Sequence, residues 1–393
     1  MKKKIAIIGA GISGLVLTNL LKQKSKYEFV LYEKNNSINF NSYGIQLAVN
    51  SVDILNKIGF ENFDADEKYN PKKIDFYSLK NNKKICELNI AEFNSEKIRY
   101  TSLKRSSLVN FFKEKLLTNT IQFNKKIKKI NFTGSKIEIF FEDNTSDVTD
   151  YLIISDGIFS PSKSILFNKD IRASYSGSLA IRATLKGIDT KLFDQNNISL
   201  LLGPNFHLVF YPLNKEKELN VVGVMRKKLD DKTLYDQNFF KDTDNLKKIL
   251  DKIYIEKNYN LKIFLNHAQN LKCFPIFISD KIRQPKQKNI FFLGDAFFAV
   301  PPTFAQGASQ SIESAYELFK ILDSNNINSS SDYYYKYRIE RINMINRRSK
   351  LNYFFFHLSN PILIFFRNII MKIVSNNKFF LNKYLGQIYL KNN

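Results

Sequence analysis

Residues 4–14 read Lys-Ile-Ala-Ile-Ile-Gly-Ala-Gly-Ile-Ser-Gly, and this stretch decides the fold. Lys4 to Ile8 is a short apolar run that stops at glycine, the pattern of a strand buried on both faces of a parallel sheet. Gly9, Gly11 and Gly14 then complete G-x-G-x-x-G. The first glycine permits a tight turn, the second lets a phosphate approach the backbone, and the third lets a helix pack closely on the strand. Leu15, Val16, Leu20 and Leu21 recur at helical spacing, and Phe29 to Tyr32 form a second apolar strand. That strand ends at Glu33, nineteen residues after Gly14, with Lys34 next to it. The start of the helix, at Ser13, offers free N–H groups and a positive dipole end to an anion. A carboxylate at position 33 can accept ribose hydroxyls. The spacing predicts a dinucleotide site with Gly9, Gly11, Ser13 and Gly14 around the diphosphate and Glu33 and Lys34 at the adenosine end.

The same segment imitates a secretion signal, because Met1-Lys2-Lys3-Lys4 precedes an apolar run. Glycines puncture that run, and Lys22-Gln23-Lys24-Ser25-Lys26 follows it instead of a small-residue cleavage site. The longest apolar stretch elsewhere, Tyr353 to Val374, is broken by Asn360, Pro361, Arg367 and Asn368. The sequence therefore predicts no membrane span. Cys86 and Cys273 are far apart and in no redox or metal spacing, which predicts a reducing, cytoplasmic setting. His207, His267 and His357 are scattered, which argues against a metal site.

The 393 residues predict two or three domains, and 44% hydrophobic with 25% charged residues is ordinary globular usage. The net charge of +23 comes from 60 Lys+Arg against 37 Asp+Glu. Only 11 of the 60 are Arg, whereas nucleic-acid readers favour the Arg fork. The excess Lys accompanies abundant Asn, Ile, Phe and Tyr, a compositional bias, and no nucleic-acid partner is expected.

Ser51 to Ile58 predicts a short helix closed by Gly59, and Leu108, Phe111, Phe112 and Leu116 give a helix after Arg105. Lys136–Glu142 and Val148–Ile154 read as a hairpin around Asp143-Asn144. Leu179–Leu185, Leu208–Leu213 and Leu219–Met225 look like antiparallel strands. Asn289–Leu293 returns to the buried-strand pattern, Gly307 opens a helix, and Ser324–Ser331 reads as a loop before a helical, aromatic C-terminus. The expected layout is an α/β dinucleotide-binding unit over 1–170 and 281–325, a sheet-rich insert over 171–280, and a helical region over 326–393. Residues 71–100 are expected to join the insert's side.

Two more glycine motifs end strands: Asp156-Gly157 through Ser160, and Gly294-Asp295-Ala296. With Tyr43-Gly44-Ile45-Gln46-Leu47, Arg105-x-x-Leu108, Pro301-Pro302, and Gln306-Gly307-Ala308-Ser309-Gln310 with Glu313, the chain resembles the FAD-dependent aromatic-ring hydroxylases. The salicylate and 6-hydroxynicotinate hydroxylases are the nearest in flavour. The resemblance runs along nearly the whole chain and implies a Rossmann-like FAD-binding domain, three-layer ββα, with an inserted antiparallel-sheet substrate domain and a helical C-terminus.

It also implies roles. Asp295 bonds a ribityl hydroxyl, and Gly307 and Ala308 face the flavin pyrimidine edge from a helix N-terminus. Arg105 meets the phosphates or ribityl chain, Asp156 joins the nucleotide network, and Ile127 contacts adenine through its main chain. NADH or NADPH reduces FAD transiently, and a flavin C4a-hydroperoxide hydroxylates a small aromatic or related ring. Tyr211 is the expected base that deprotonates a phenol-like substrate, with His207 as helper on the same strand face and Gln46 bonded to substrate or flavin. Arg182 either meets a substrate carboxylate or serves the packing. The chain departs from the family pattern at Phe298 (usually His), Ala305 (often Gly), Lys163 (commonly Arg) and Ser314 (commonly Asp). Phe298 and Ala305 keep open a flavin-linked oxidoreduction without oxygen insertion, and a binding protein that holds its cofactor structurally stands as a third reading. The two Trp of flavin halogenases are absent.

The C-terminal Arg338, Arg341, Arg347, Arg348, Lys350, Arg367 and Lys372, mixed with Phe354–Phe356, Ile362, Ile364, Phe365 and Phe366, admit two readings. One is a helical cap on the domains. The other is contact with an anionic membrane surface, as a hydroxylase of a quinone-like lipid would use. A small aromatic molecule is the expected partner, and the chain is expected to act as a monomer or homodimer.

Overall fold

Lys3–Ile8 occupies the middle of a five-stranded parallel sheet, in the spatial order Ile290–Phe292, Tyr151–Ile154, Lys3–Ile8, Tyr27–Tyr32, Ile121–Gln122. The computed structural model describes residues 2–24, 26–38, 43–187, 192–236, 238–240, 267–324 and 327–390, with 327–330 as backbone. Each strand of this sheet is apolar because both faces are covered. Helices α1 (Ile12–Lys22), α2 (Val49–Asn56), α3 (Arg105–Glu114) and α4 (Gly307–Asp323) pack together against it. A three-stranded antiparallel sheet, Ile127–Thr133, Lys136–Phe141 and Ser146–Thr149, covers it as a further layer. Tyr32 and Phe141 meet between these sheets, with ring centroids 4.6 Å apart.

The expected hairpin ends earlier than the apolar run suggests. Val148 belongs to it, but Tyr151–Ile154 crosses into the parallel sheet between Lys3–Ile8 and Ile290–Phe292. Asp150 makes the break: its carboxylate accepts the Lys4 N–H at 2.8 Å and its own N–H donates to Lys4 O at 3.0 Å. An apolar count cannot see a strand change carried by one aspartate.

A seven-stranded sheet forms the second body, ordered Gln269–Ile278, Ser174–Leu185, Leu219–Arg226, Phe206–Pro212, Ile198–Gly203, Lys73–Ser78 and Lys84–Asn89. Its neighbours are antiparallel except Ile198–Gly203 with Lys73–Ser78, which run parallel. Residues 241–266, in the region expected to be sheet-rich, lie outside the described residues. Alternation along the strands sorts side chains to two faces. Tyr77, Leu201, Leu208, Phe210 and Val221 share one apolar cluster, whereas Phe76, Leu200, Val209, Tyr211 and Val222 turn to the other side.

The C-terminus is helical: α5 (Ile327–Phe356) and α6 (Pro361–Ser375). α5 begins at Ile327, so the serines at 329–331 are already helical and the break expected over Ser324–Ser331 is shorter. Tyr334 donates to Phe292 O at 2.8 Å and Tyr335 to Ile290 O at 3.1 Å, which ties α5 to the edge of the parallel sheet. Glu313 of α4 is fully buried and accepts from Arg341 at 2.6 Å and Arg338 at 3.4 Å. Burial alone would raise its carboxyl; the two guanidiniums outweigh that and hold it down to about 2. Arg338 and Arg341 are therefore internal ligands of a carboxylate, not part of a surface basic patch. Arg348 and Arg367 are likewise engaged with main-chain carbonyls. Among the described residues no helix is long and apolar enough to cross a membrane.

Candidate active site

The phosphate loop is built by contacts that only glycine allows. Gly9 has φ of +99°, and a Cβ there would meet Ser155 O at 2.7 Å. A Cβ on Gly14 would lie 2.2 Å from Gly9 O. At Gly11 the nearest atom to an added Cβ is 3.8 Å away, so this residue borders open space. Gly11, Ile12 and Ser13 bring the N-terminus of α1 to the wall of a cavity. Glu33 reaches back to the loop: its Oε2 accepts the Ala10 N–H at 2.9 Å, and its Oε1 accepts from Asn35 N–H at 3.0 Å. The carboxylate thus fixes the glycine loop itself. Lys34 is exposed beyond it, and Ile127 is buried in the core at the start of its strand.

The cavity measures about 1010 Å³. That lies at the top of the usual span for a ligand site, about 300–1,000 Å³. Arg105, Asp295, Gly307 and Ala308 line it. Asp295 presents accessible surface yet lies deep in the protein, and the surface it presents is cavity wall. Burial pushes its carboxyl up, while Arg105 and then Lys163 draw it down. Lys163, standing where an Arg was expected, is 7% exposed. Burial lowers its ammonium, and Asp156 is the strongest opposing influence. One cation thus serves the carboxylates of both glycine motifs. Asp156 accepts the Ser162 N–H through Oδ2 at 3.3 Å, and its buried Oδ1 has no partner.

Gly294 has φ of +54°, and a Cβ there would press on Ser311 Oγ at 2.8 Å and Ser13 Oγ at 3.0 Å. The turn that carries Asp295 is therefore wedged between Ser13 near the start of α1 and Ser311 in the second turn of α4. Ala305 also lies in the left-handed region, at φ +51°. That backbone explains why glycine suits this position.

Much of the cavity wall is an apolar chamber built by Phe76, Leu200, Val209, Val222, Phe274 and Phe356, with a few polar groups. Gln46, Tyr211, His207 and Arg182 all line it. Gln46 Oε1 accepts from Tyr100 OH at 2.7 Å. Burial pushes the Tyr211 phenol up to about 12, with Arg182 and Gln46 pulling the other way. Arg182 donates to Gly44 O at 3.3 Å and lies over Tyr43. His207 sits four residues from Tyr211 on one strand, roughly 13 Å along it. Its Nδ1 lies 3.0 Å from His357 Nε2. The structure brings Tyr211 to Gln46 and His207 to His357.

Sequence reasoning missed Tyr100, Tyr389 and Arg367, which all line the same chamber. None stands in a motif. Tyr100 precedes the Arg105 helix start by five residues, and the other two come from the far C-terminus, so only the fold brings them together. Arg367 is 3% exposed and lowered to about 10 by burial, with Cys86 opposing.

The donor set fits FAD: a helix N-terminus free for a diphosphate, an orphaned acceptor at Asp156, a cavity-facing Asp295, and a second helix N-terminus at Gly307. A family model described as FAD binding domain matches residues 2–347. The chain is 22% identical to the 3-amino-4-hydroxybenzoate 2-monooxygenase of Streptomyces platensis over 363 residues, 91% of this chain and 89% of that protein. It is 21% identical to the 6-hydroxynicotinate 3-monooxygenase of Bordetella bronchiseptica over 368 residues, 92% and 94% of the two chains. Its fold matches that of HpxO from Klebsiella pneumoniae, solved with FAD and uric acid, at a TM-score of 0.85 and 17% identity, covering 98% and 96%. Glycine loop, a cavity that holds Asp295 and Arg105, and matching family model converge: the chain belongs to the FAD-binding-domain family of FAD-dependent aromatic-ring hydroxylases and is an FAD-dependent monooxygenase.

Proposed function

We propose that the protein uses NADH or NADPH and O2 to hydroxylate a small aromatic or related ring. One observation carries this reading: a single cavity joins a phosphate-ready loop at Gly11 to an apolar chamber that holds Tyr211 and Gln46. Relatives named for aminohydroxybenzoate and hydroxynicotinate support ring acids as the substrate class. When bound, FAD accepts reducing equivalents and activates oxygen for transfer to the ring. The chain's own residues orient and shield. Gly9, Gly11, Ser13 and Gly14 hold the diphosphate, with Glu33 bracing the loop and Lys34 at its rim. Asp295, Arg105 and Asp156 hold the ribityl and phosphate groups, and Gly307 and Ala308 offer N–H groups to the flavin edge. Ile127 serves the adenine end through its main chain.

Tyr211 stays a phenol at neutral pH, so it takes a proton only in concert with passing its own on, and Gln46 is its neighbour. His207 shapes the chamber wall through His357. Apolar walls exclude water from the reacting ring. Two free cysteines, Cys273 buried and Cys86 half-buried, fit a reducing, cytoplasmic setting.

The test is a screen of phenolic and pyridine carboxylic acids under 18O2, with nicotinamide oxidation and product mass followed together. The reading predicts a product heavier by one labelled oxygen. Nicotinamide oxidation that leaves every ring unmodified supports the second reading, oxidoreduction without oxygen insertion. Phe298, 7% exposed where the family pattern has His, favours that second reading.

A further inference from the structure

Helix α6 is apolar on its outer face as well as its inner one. Its inward positions mix Ile364, Met371 and Val374 with Arg367, Asn368 and Ser375, of which Arg367 and Ser375 are buried. Its outward positions are Ile362, Phe365, Phe366, Ile369 and Ile373, between 40% and 66% exposed. At 100° per residue these five fall within one arc of the helix, with Ile370 at its border. A helix that faced water would carry the opposite pattern, because each exposed large apolar group gives up its burial energy. Phe379, the first-turn neighbour on the next helix, extends the patch at 76% exposure.

Charge frames this face. From residue 341 to the end there is no Asp or Glu, and of the nine Lys and Arg the buried Arg341 and Arg367 add nothing to the surface charge. Lys350, Lys372, Lys378 and Lys383 are exposed, and Lys372 lies on α6 at the edge of the apolar arc. Fifteen residues at about 1.5 Å each give roughly 22 Å, too short to cross a hydrocarbon core of about 30 Å. The helix suits the interface plane, with rings in the acyl boundary and ammonium groups at the headgroups. We infer that α6 docks the protein on an anionic lipid surface. Arg367, Met371 and Val374, from the inward side of the same helix, line the cavity, so docking sets the cavity wall against the membrane.

Flotation of the FAD-loaded full chain with vesicles tests this. Vesicles of equal phosphatidylglycerol and phosphatidylcholine should float roughly tenfold more protein than phosphatidylcholine alone. A triple variant, Phe365→Ser with Ile369→Ser and Ile373→Ser, should lose that gain while keeping its flavin spectrum, since none of the three is buried. Lys372→Glu with Lys378→Glu should lose it too. Wild type that stays unbound with anionic vesicles overturns the inference. So does sedimentation showing a stable dimer that the triple variant turns to monomer, which assigns the face to a second copy.

Discussion

His207 Nδ1 and His357 Nε2 face each other at 3.0 Å inside the protein, and this contact joins the seven-stranded sheet to the end of α5. His357 also lies 2.9 Å from Tyr353 O and 3.2 Å from Val224 O. Burial holds His207 well below its ordinary value, and His357 follows to about 4, with Arg226 adding to its burial. Both folded values lie below those of the unfolded chain, so the unfolded state binds more protons in acid. Stability is full above about pH 6.5 and falls as pH drops toward 4. At about 1.4 kcal/mol per pH unit, His357 accounts for a loss on the order of 3 kcal/mol. Urea midpoints at pH 7.5 and 5 should show the fall, and His357→Gln should flatten it. An unchanged slope in that variant contradicts the pairing.

Glu313 carries the second expectation. Removing it leaves Arg338 and Arg341 buried without a countercharge. Glu313→Ala should destabilise the protein by about 3–5 kcal/mol, read from urea unfolding. Limited proteolysis should then cut first in the C-terminal helices, whose carbonyls at Gln387 and Ile388 also bind Arg341.

Ala305 gives a gain instead of a loss. Its φ of +51° suits glycine, so Ala305→Gly should stabilise by about 0.5–1 kcal/mol despite glycine's entropy. Calorimetry should show a rise in Tm of about 1–2 °C for a chain this long. A lower Tm would mean that the Ala305 methyl packs productively in the cavity.

Tyr211→Phe should leave the flavin bound, because the change keeps the ring and removes only a hydroxyl whose neighbours are Arg182 and Gln46. Coupled turnover should drop by roughly a hundredfold or more, the usual scale of a lost acid–base group. Equal turnover in the variant would remove the phenol from the chemistry.

Much of this was legible in the sequence. Strand-ending glycines at 9, 157 and 294 announce three tight turns because their positive backbone angles leave a trace in residue type. Glu33 was visible too, but its grip on the Ala10 N–H was not, since motif spacing does not say which atoms meet. Other features left no local trace. Asp150 redirects a strand through one hydrogen-bond pair. Tyr100, Arg367 and Tyr389 line the chamber from segments remote in sequence, and His357 reaches it only through His207. The basic C-terminal residues read alike in sequence, yet Arg338 and Arg341 are buried partners of Glu313 while Lys372 and Lys378 face outward. Burial and partner choice are tertiary facts, and a charge pattern alone cannot sort them.

The most direct measurement is titration of the flavin-free protein with FAD, followed by visible absorption. The account predicts one FAD per chain for the wild type. Gly11→Ala should fold normally and take up none, because its added methyl meets nothing nearer than 3.8 Å in the protein but projects into the space proposed for the diphosphate. Asp295→Ala should bind far more weakly. A wild type that takes up no FAD, or a Gly11→Ala variant that binds it as tightly, would contradict the placement of the cofactor on which the rest depends.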